Sequence, residues 1–216
     1  MVQFYMKQHA AIAALQYVQD HAIIGIGTGS TVNAFIEQLA ISKLQIQAVA
    51  SSNQTSALLK KYNIPTIPFD QAIDLPVYID GADAYNNLKQ LIKGKGGALA
   101  KEKILAYASK TFVCIIDDSK KPAAFNKTPI AIEVLPMARS SVARSIVKLG
   151  GNPTYRVGFI TDNGNVILDV DNLPIHQPIA LEEHLNNIPG VVANGIFAVR
   201  AADLIIVGTQ SGSFLV

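Results

Sequence analysis

Ile23-Ile24-Gly25-Ile26-Gly27-Thr28-Gly29-Ser30-Thr31-Val32-Asn33-Ala34-Phe35-Ile36-Glu37-Gln38-Leu39 carries two periodicities in succession. Ile23 to Ile26 is a short apolar run of strand length. Val32, Phe35, Ile36 and Leu39 then recur at helical spacing, so the stretch predicts a strand that passes through a glycine loop into a helix. Such a loop exposes backbone N–H groups at the positive end of a helix dipole, where an anion binds well.

The same alternation continues on both sides. Ala10, Ala11, Ala14, Leu15 and Val18 predict an amphipathic opening helix over 6–18. Gln47 to Ala50 reads as a strand, Ser51-Ser52-Asn53 as a polar turn or cap, and Gln54 to Tyr62 as a helix. Val77-Tyr78-Ile79 is a further strand, 98–108 a helix, and Thr111 to Ile116 a buried strand. Strands alternating with helices imply a parallel sheet, because parallel neighbours need a crossover. The expected fold class is therefore α/β, with a Rossmann-like parallel-sheet lobe over 1–126. Beyond Pro129 the pattern changes to a strand at 130–134, a helix at 137–149 and a hairpin. In that hairpin Phe159-Ile160 and Val166-Ile167-Leu168 flank an Asn163-Gly164 turn. Residues 127–200 are thus expected to form a smaller α+β, ferredoxin-like lobe, and the apolar run Leu204 to Val207 to return to the first sheet, so that 201–216 completes the first lobe.

Composition narrows the chemistry. Of 216 residues, 50% are hydrophobic and 16% charged, which supplies a real core. A formal charge of +2 with scattered lysines is too weak for a nucleic-acid footprint, so an anionic partner should be small. The single cysteine, Cys114, lies in an apolar run and permits no intrachain disulfide, which fits a cytosolic setting. No run reaches the roughly 18 apolar residues of a membrane span. No signal-peptide pattern opens the chain, so an unprocessed protein without membrane attachment is expected. The four histidines are dispersed and no cysteine cluster exists, so no metal site is expected.

Three segments carry candidate chemistry. In Gly27 to Thr31, the hydroxyls of Ser30 and Thr31 add donors to those of the loop backbone. A P-loop would require a lysine after the glycines, and none follows. A dinucleotide fingerprint would want glycine where Ser30 stands and an acidic residue near Val49 to Ser51, so nucleotide binding is disfavoured. Asp80-Gly81-Ala82-Asp83 follows a predicted parallel strand, the sheet edge where α/β folds place ligands. Its carboxylates suit sugar hydroxyls or a proton shuttle; a plain Asx turn is the bland alternative. In Lys93-Gly94-Lys95-Gly96-Gly97, glycines and cations lead into a helix whose first turns hold Glu102. That residue is either an exposed helix-start carboxylate or a general base tuned by burial and by nearby lysines. Lys120 adds a cation after another strand.

Taken together, Gly27 to Thr31, Asp80 to Asp83, Lys93-Gly94 through Lys101-Glu102-Lys103, Ser119-Lys120 and Pro136 to Arg139 resemble the type A ribose-5-phosphate isomerases in order and spacing. Leu149-Gly150-Gly151, Thr161 to Asn165 and Ile188 to Val192 extend the resemblance over nearly the whole chain. Two positions depart from the family pattern, Ala84 and Lys95.

The resemblance implies a cofactor-free, metal-independent aldose–ketose isomerase of the pentose phosphate pathway, a homodimer or homotetramer whose partner is a small sugar phosphate. It matches Glu102 to the catalytic base. Thr28 to Thr31, Asp80 to Asp83, Lys93 to Gly96 and Lys120 match substrate-binding segments. The expected course is phosphate anchoring by the first loop with help from Lys7 or a lysine of the third, ring opening by Asp80 or Asp83, and proton transfer by Glu102 between C2 and C1 through a cis-enediolate. Lys93 and Lys120 are the expected oxyanion donors. Rival readings are a sugar-phosphate sensor without turnover, an aminosugar phosphate deaminase and an acyl-CoA transferase. Retention of Glu102 and both aspartates counts against the sensor, and neither of the other two accounts for the whole set of motifs.

Overall fold

The computed structural model describes residues 2–120 and 122–216. In chain order its helices are α1 (Val2–Ala14), α2 (Ser30–Ser42), α3 (Asn53–Lys61), α4 (Leu99–Ala108), α5 (Arg139–Lys148) and α6 (Pro178–Asn186). The strands up to the middle of the chain are β1 (Ile23–Ile26), β2 (Gln47–Ala50), β3 (Val77–Asp80), β4 (Ala84–Tyr85), β5 (Leu91–Ile92), β6 (Thr111–Asp117) and β7 (Ile130–Val134). Then follow β8 (Asn152–Tyr155), β9 (Val166–Asp171), β10 (Val191–Asn194), β11 (Ile196–Phe197), β12 (Leu204–Gly208) and β13 (Ser213–Leu215).

Two compact units emerge. The first comprises 1–82, 104–120 and 202–216; the second comprises 83–103 and 121–201. The division expected near residue 126 differs from this one chiefly at 83–103. The ladder explains why: β4 pairs with β5, and β5 pairs with β11, so the segment is tied to residues 196 and 197.

The first unit carries a sheet in the order β13-β12-β6-β3-β1-β2. Its five strands β2, β1, β3, β6 and β12 run parallel, and β13 is an antiparallel edge. The apolar run Leu204 to Val207 does return to this sheet, beside β6. Ile24 and Ile26 of β1 and Val113 and Ile115 of β6 are buried, together with Val32, Phe35, Ile36 and Leu39 of α2. Those four α2 positions are the helical stripe read from the sequence. Helix α1 presents Ala10, Ala11 and Ala14, small enough for close approach. A Cβ on Gly208 would lie 1.8 Å from the Met6 carbonyl oxygen, so only glycine lets α1 pass the end of β12. The chain leaves β1 for β2 on one side and returns to β3 on the other. The β1 and β3 carboxyl ends therefore flank the point where strand order reverses, the usual ligand position in open α/β sheets.

The second unit holds an antiparallel sheet in the order β10-β7-β9-β8. With α5 between β7 and β8 and α6 between β9 and β10, this is the split βαββαβ of a ferredoxin-like lobe. Ile130, Ile132 and Val134 of β7 pack on one face with Val142 and Ile146 of α5 and Leu185 of α6. On the other face Ala131, Ile167 and Ala193 pack with Leu99, Ala100 and Phe159.

Three local expectations change. The partner of β9 is β8 at 152–155, not Phe159-Ile160, although the turn expected at 161–165 is present: Gly164 N–H donates to the Thr161 carbonyl. Pro153 is tolerated because β8 is an edge strand. The opening helix ends at Ala14 and continues as a 3-10 turn over Leu15–Tyr17. Helix α5 starts at Arg139, after a 3-10 turn over Pro136–Ala138.

Candidate active site

In the first unit, the β1–α2 loop is built around Asp80. This residue is fully buried, and its Oδ1 accepts from the backbone N–H of Thr28 at 3.0 Å and of Gly81 at 2.7 Å. Its Oδ2 accepts from the Tyr78 hydroxyl. A Cβ on Gly27 would lie 1.9 Å from Oδ1, so the carboxylate occupies the space that any side chain at 27 would need. The loop conformation is thus a property of the Gly27–Asp80 pair. Thr28 Oγ1 adds contacts at 2.8 Å to both Ser51 Oγ and Ser52 Oγ, beyond the end of β2. Ser52 is also the N-cap of α3, accepting from Thr55 N–H at 3.0 Å, while the Thr55 hydroxyl donates to the Gly27 carbonyl at 2.7 Å.

With that scaffold in place, Gly29 and Ser30 remain exposed at the start of α2, and Thr31 is buried. Gly29 has φ +127°, a conformation costly to L side chains. The first N–H groups of α2 lack intrahelical partners and so are available to an anion. Lys120 follows β6 in a turn where its N–H donates to the Asp117 carbonyl at 3.1 Å, and Asp117 in turn accepts from the N–H and hydroxyl of Ser119. Lys7 is half-buried on α1.

In the second unit, Glu102 lies in the first turn of α4, its N–H donating to the Ala98 carbonyl at 3.1 Å. The carboxylate is 4% exposed, and Lys93 Nζ, 3% exposed, stands 3.2 Å from its Oε2. A carboxylate this deeply buried is tolerable only beside such a partner. The exposed helix-start reading of Glu102 is therefore excluded. Gly94, at φ +104°, lets the chain turn directly after Lys93, and Gly97 N–H closes that turn on the Gly94 carbonyl at 2.9 Å. Asp83 is half-buried, and its Oδ2 accepts from Lys95 N–H at 3.1 Å; Lys95 and Gly96 are both exposed.

The sequence reading passed over several residues that shape these loops. Tyr78 lies within a strand and reads there as core. Ser51 and Ser52 read as a turn or cap and Thr55 as part of the helix that follows, with the shared contact to Thr28 hidden by 23 to 27 residues of separation. Arg156 donates to the carbonyls of Gly94 and Lys95 while paired with Asp169, and so braces the Lys93 to Gly97 loop. Lys103 is half-buried beside Glu182; desolvation lowers its pKa, and the Glu182 carboxylate opposes that shift. Cys114 is fully buried in β6. Among the described residues no cluster of three or more His, Cys, Asp or Glu could hold a metal ion, and no helix is long and apolar enough to cross a membrane.

Residues 47–212 match the sequence profile of ribose 5-phosphate isomerase A, also called phosphoriboisomerase A. The chain belongs to the ribose 5-phosphate isomerase A family. The ribose-5-phosphate isomerase A of Legionella pneumophila (strain Lens) is 56% identical over 208 residues, 96% of either chain. That of Pasteurella multocida is 54% identical over 215 residues, covering 99% of this chain and 98% of that one. Among solved structures, ribose 5-phosphate isomerase A from Neisseria gonorrhoeae superposes with a TM-score of 0.97 at 46% identity, covering 99% of this chain and 96% of that one. A D-ribose-5-phosphate isomerase in complex with phospho-erythronic acid gives 0.94 at 38% identity, over 100% of this chain and 99% of that one. Membership in the ribose 5-phosphate isomerase A family accounts for the two lobes and for the motif order together.

Proposed function

We propose that this protein interconverts D-ribose 5-phosphate and D-ribulose 5-phosphate, with Glu102 as the base that moves a proton between C2 and C1. The observation that carries this reading is the buried Lys93–Glu102 pair at the start of α4, in a chain that belongs to this isomerase family. A carboxylate held next to an ammonium in a poorly hydrated site suits proton transfer at carbon beside an oxygen that gains charge.

The phosphate is held by the N–H groups that open α2 together with the Ser30 and Thr31 hydroxyls, around a loop set by Thr28 and Gly29. The complex of a relative with phospho-erythronic acid, a sugar-acid phosphate, supports an anionic ligand of this size. Ring opening falls to Asp83 rather than Asp80. Asp80 already accepts two backbone N–H groups and a phenol, so its role is to hold the loop with Gly81. Lys93 stabilises the oxyanion of the cis-enediolate and Lys120 adds positive potential. Gly94 and Gly96 shape the loop around the sugar, and Ala82 leaves room beside Asp83. Glu102 removes the C2 proton as a carboxylate and returns it to C1 as a carboxylic acid, while the hydroxyl proton on O2 passes to O1, so no proton is gained or lost overall. We further propose that the enzyme serves the non-oxidative pentose phosphate pathway in the cytoplasm, needs no metal, and assembles as a homodimer or homotetramer.

The test is ribulose 5-phosphate formation from ribose 5-phosphate with chelator present, in wild type and in Glu102→Gln, with a binding measurement on each. The expected result is turnover that survives the chelator and falls by about 10²- to 10⁴-fold in a variant that still binds. A wild type that binds the sugar phosphate without forming ribulose 5-phosphate would overturn the reading.

A further inference from the structure

Next to Glu102 in sequence, Lys103 takes a different environment. Its ammonium group contacts the Glu182 carboxylate and the Ile196 carbonyl, and it lies 4.4 Å from the centre of the Phe197 ring. Glu182 is itself 3% exposed, and its second oxygen accepts from the N–H groups of Ala198 at 2.7 Å and Val199 at 2.8 Å. A buried ion pair is a poor way to gain stability, since apolar side chains of similar volume generally do as well. Its placement therefore calls for another explanation.

The segment that receives Lys103 also receives Lys93. Strand β5 ends at Ile92 and pairs with β11, and Lys93 N–H donates to the Gly195 carbonyl at 2.8 Å. A Cβ on Gly195 would fall 2.3 Å from the Lys93 carbonyl oxygen, so the two backbones meet without space for a side chain. Lys93 Nζ lies 5.6 Å from the centre of the same Phe197 ring. One aromatic ring thus faces two ammonium groups, one on the residue paired with Glu102 and one on its helical neighbour.

Resting on the reading of Glu102 as the base, we infer that Phe197 and the Lys103–Glu182 pair are positioning residues that hold Glu102 and Lys93 in reacting register. The pair anchors α4 to the 196–199 segment. Phe197 steers the Lys93 ammonium by cation–π attraction, which is strongest where water is excluded. Errors of about 1 Å in such a register cost on the order of 100-fold in rate without changing what binds.

The experiment compares Phe197→Leu, Phe197→Tyr and the double variant Lys103→Met with Glu182→Gln, which removes both charges together. Steady-state kinetics on ribose 5-phosphate are read beside circular dichroism and melting temperature. Phe197→Leu and the double variant should lose about tenfold to 100-fold in kcat with KM within about twofold, and Phe197→Tyr should restore kcat to near wild type. Folded variants with wild-type kcat, or with a raised KM alone, would overturn the inference. If the double variant does not fold, Phe197→Leu against Phe197→Tyr decides. Glu102→Gln run alongside separates the two levels: wild-type turnover in it refutes the base itself, whereas its loss with Phe197→Leu unaffected refutes only the positioning role.

Discussion

Asp80 in the first unit and Glu102 in the second are both carboxylates that sequence logic marks as reactive, and both are almost wholly buried. Their partners differ in kind. Asp80 accepts two backbone N–H groups and a tyrosine hydroxyl, donors fixed by the fold around β1 and β3. Glu102 faces the ammonium of a long side chain, Lys93. Fixed neutral donors make a carboxylate a strut, because any change in its protonation breaks several geometric constraints at once. A paired ammonium leaves a carboxylate able to exchange a proton, since the cation stabilises charge on the carboxylate or on a nearby substrate oxygen.

The comparison breaks most visibly in the paired variants Glu102→Gln and Asp80→Asn. Glu102→Gln should lose about 10³-fold in kcat with KM for ribose 5-phosphate little changed, and should melt earlier because the buried Lys93 ammonium keeps its charge without a counter-ion. Asp80→Asn should instead raise KM for ribose 5-phosphate, and melt earlier too, because an amide cannot accept from three donors in the same geometry. If both variants showed the same kinetic signature, the distinction between strut and base would fall. Gly27→Ala sharpens it from the other side. The new methyl competes with the Asp80 carboxylate for one space, and the expected cost is about 1–3 kcal/mol in denaturant unfolding.

Ser52→Ala is a milder probe of the same scaffold. It removes the α3 cap and one Thr28 contact, for an expected loss of about 1 kcal/mol with kcat little changed. The smallest effect concerns Lys103, whose pKa burial depresses in the folded state, with Glu182 opposing. Below that depressed pKa the folded and unfolded forms are both protonated, and the burial cost is fully present. As pH rises from there towards the ordinary lysine value of about 10.5, the unfolded chain binds more protons and the stability contributed by this residue increases. Thermal melts of wild type and Lys103→Met across that alkaline window should show the stability of wild type rising relative to that of the variant as pH increases. A difference that stays constant with pH would contradict the depressed value.

How far these features were legible depends on whether the signal was local. The strand, glycine loop and helix at 23–39 lie in one short stretch, so periodicity alone places them. The two-residue strands β4, β5 and β11 are too short to show any alternation; they exist because they pair with one another. Helix α6 was not anticipated, since its buried face includes Glu182, which breaks the apolar stripe. Strand β8 was concealed by Pro153, acceptable only at a sheet edge. In the site, motif spacing pointed to Glu102, but taken alone that residue reads as an exposed helix-start carboxylate. Its 4% exposure beside Lys93 reverses that reading.

Local sequence sets the alternation of strands and helices, the anion-suited loop at 27–31 and the complement of titratable residues. These depend on neighbours a few positions apart, where backbone conformation and side-chain periodicity are set by local sterics and apolar spacing. Long-range packing is what makes Asp80 brace a loop, sets Lys93 beside Glu102 and groups 83–103 with the second unit. Those outcomes turn on burial and on partners such as Thr28 with Asp80, 52 residues apart, or Lys103 with Glu182, 79 apart. A carboxylate's role follows from which donors reach it, and separation along the chain carries no record of that.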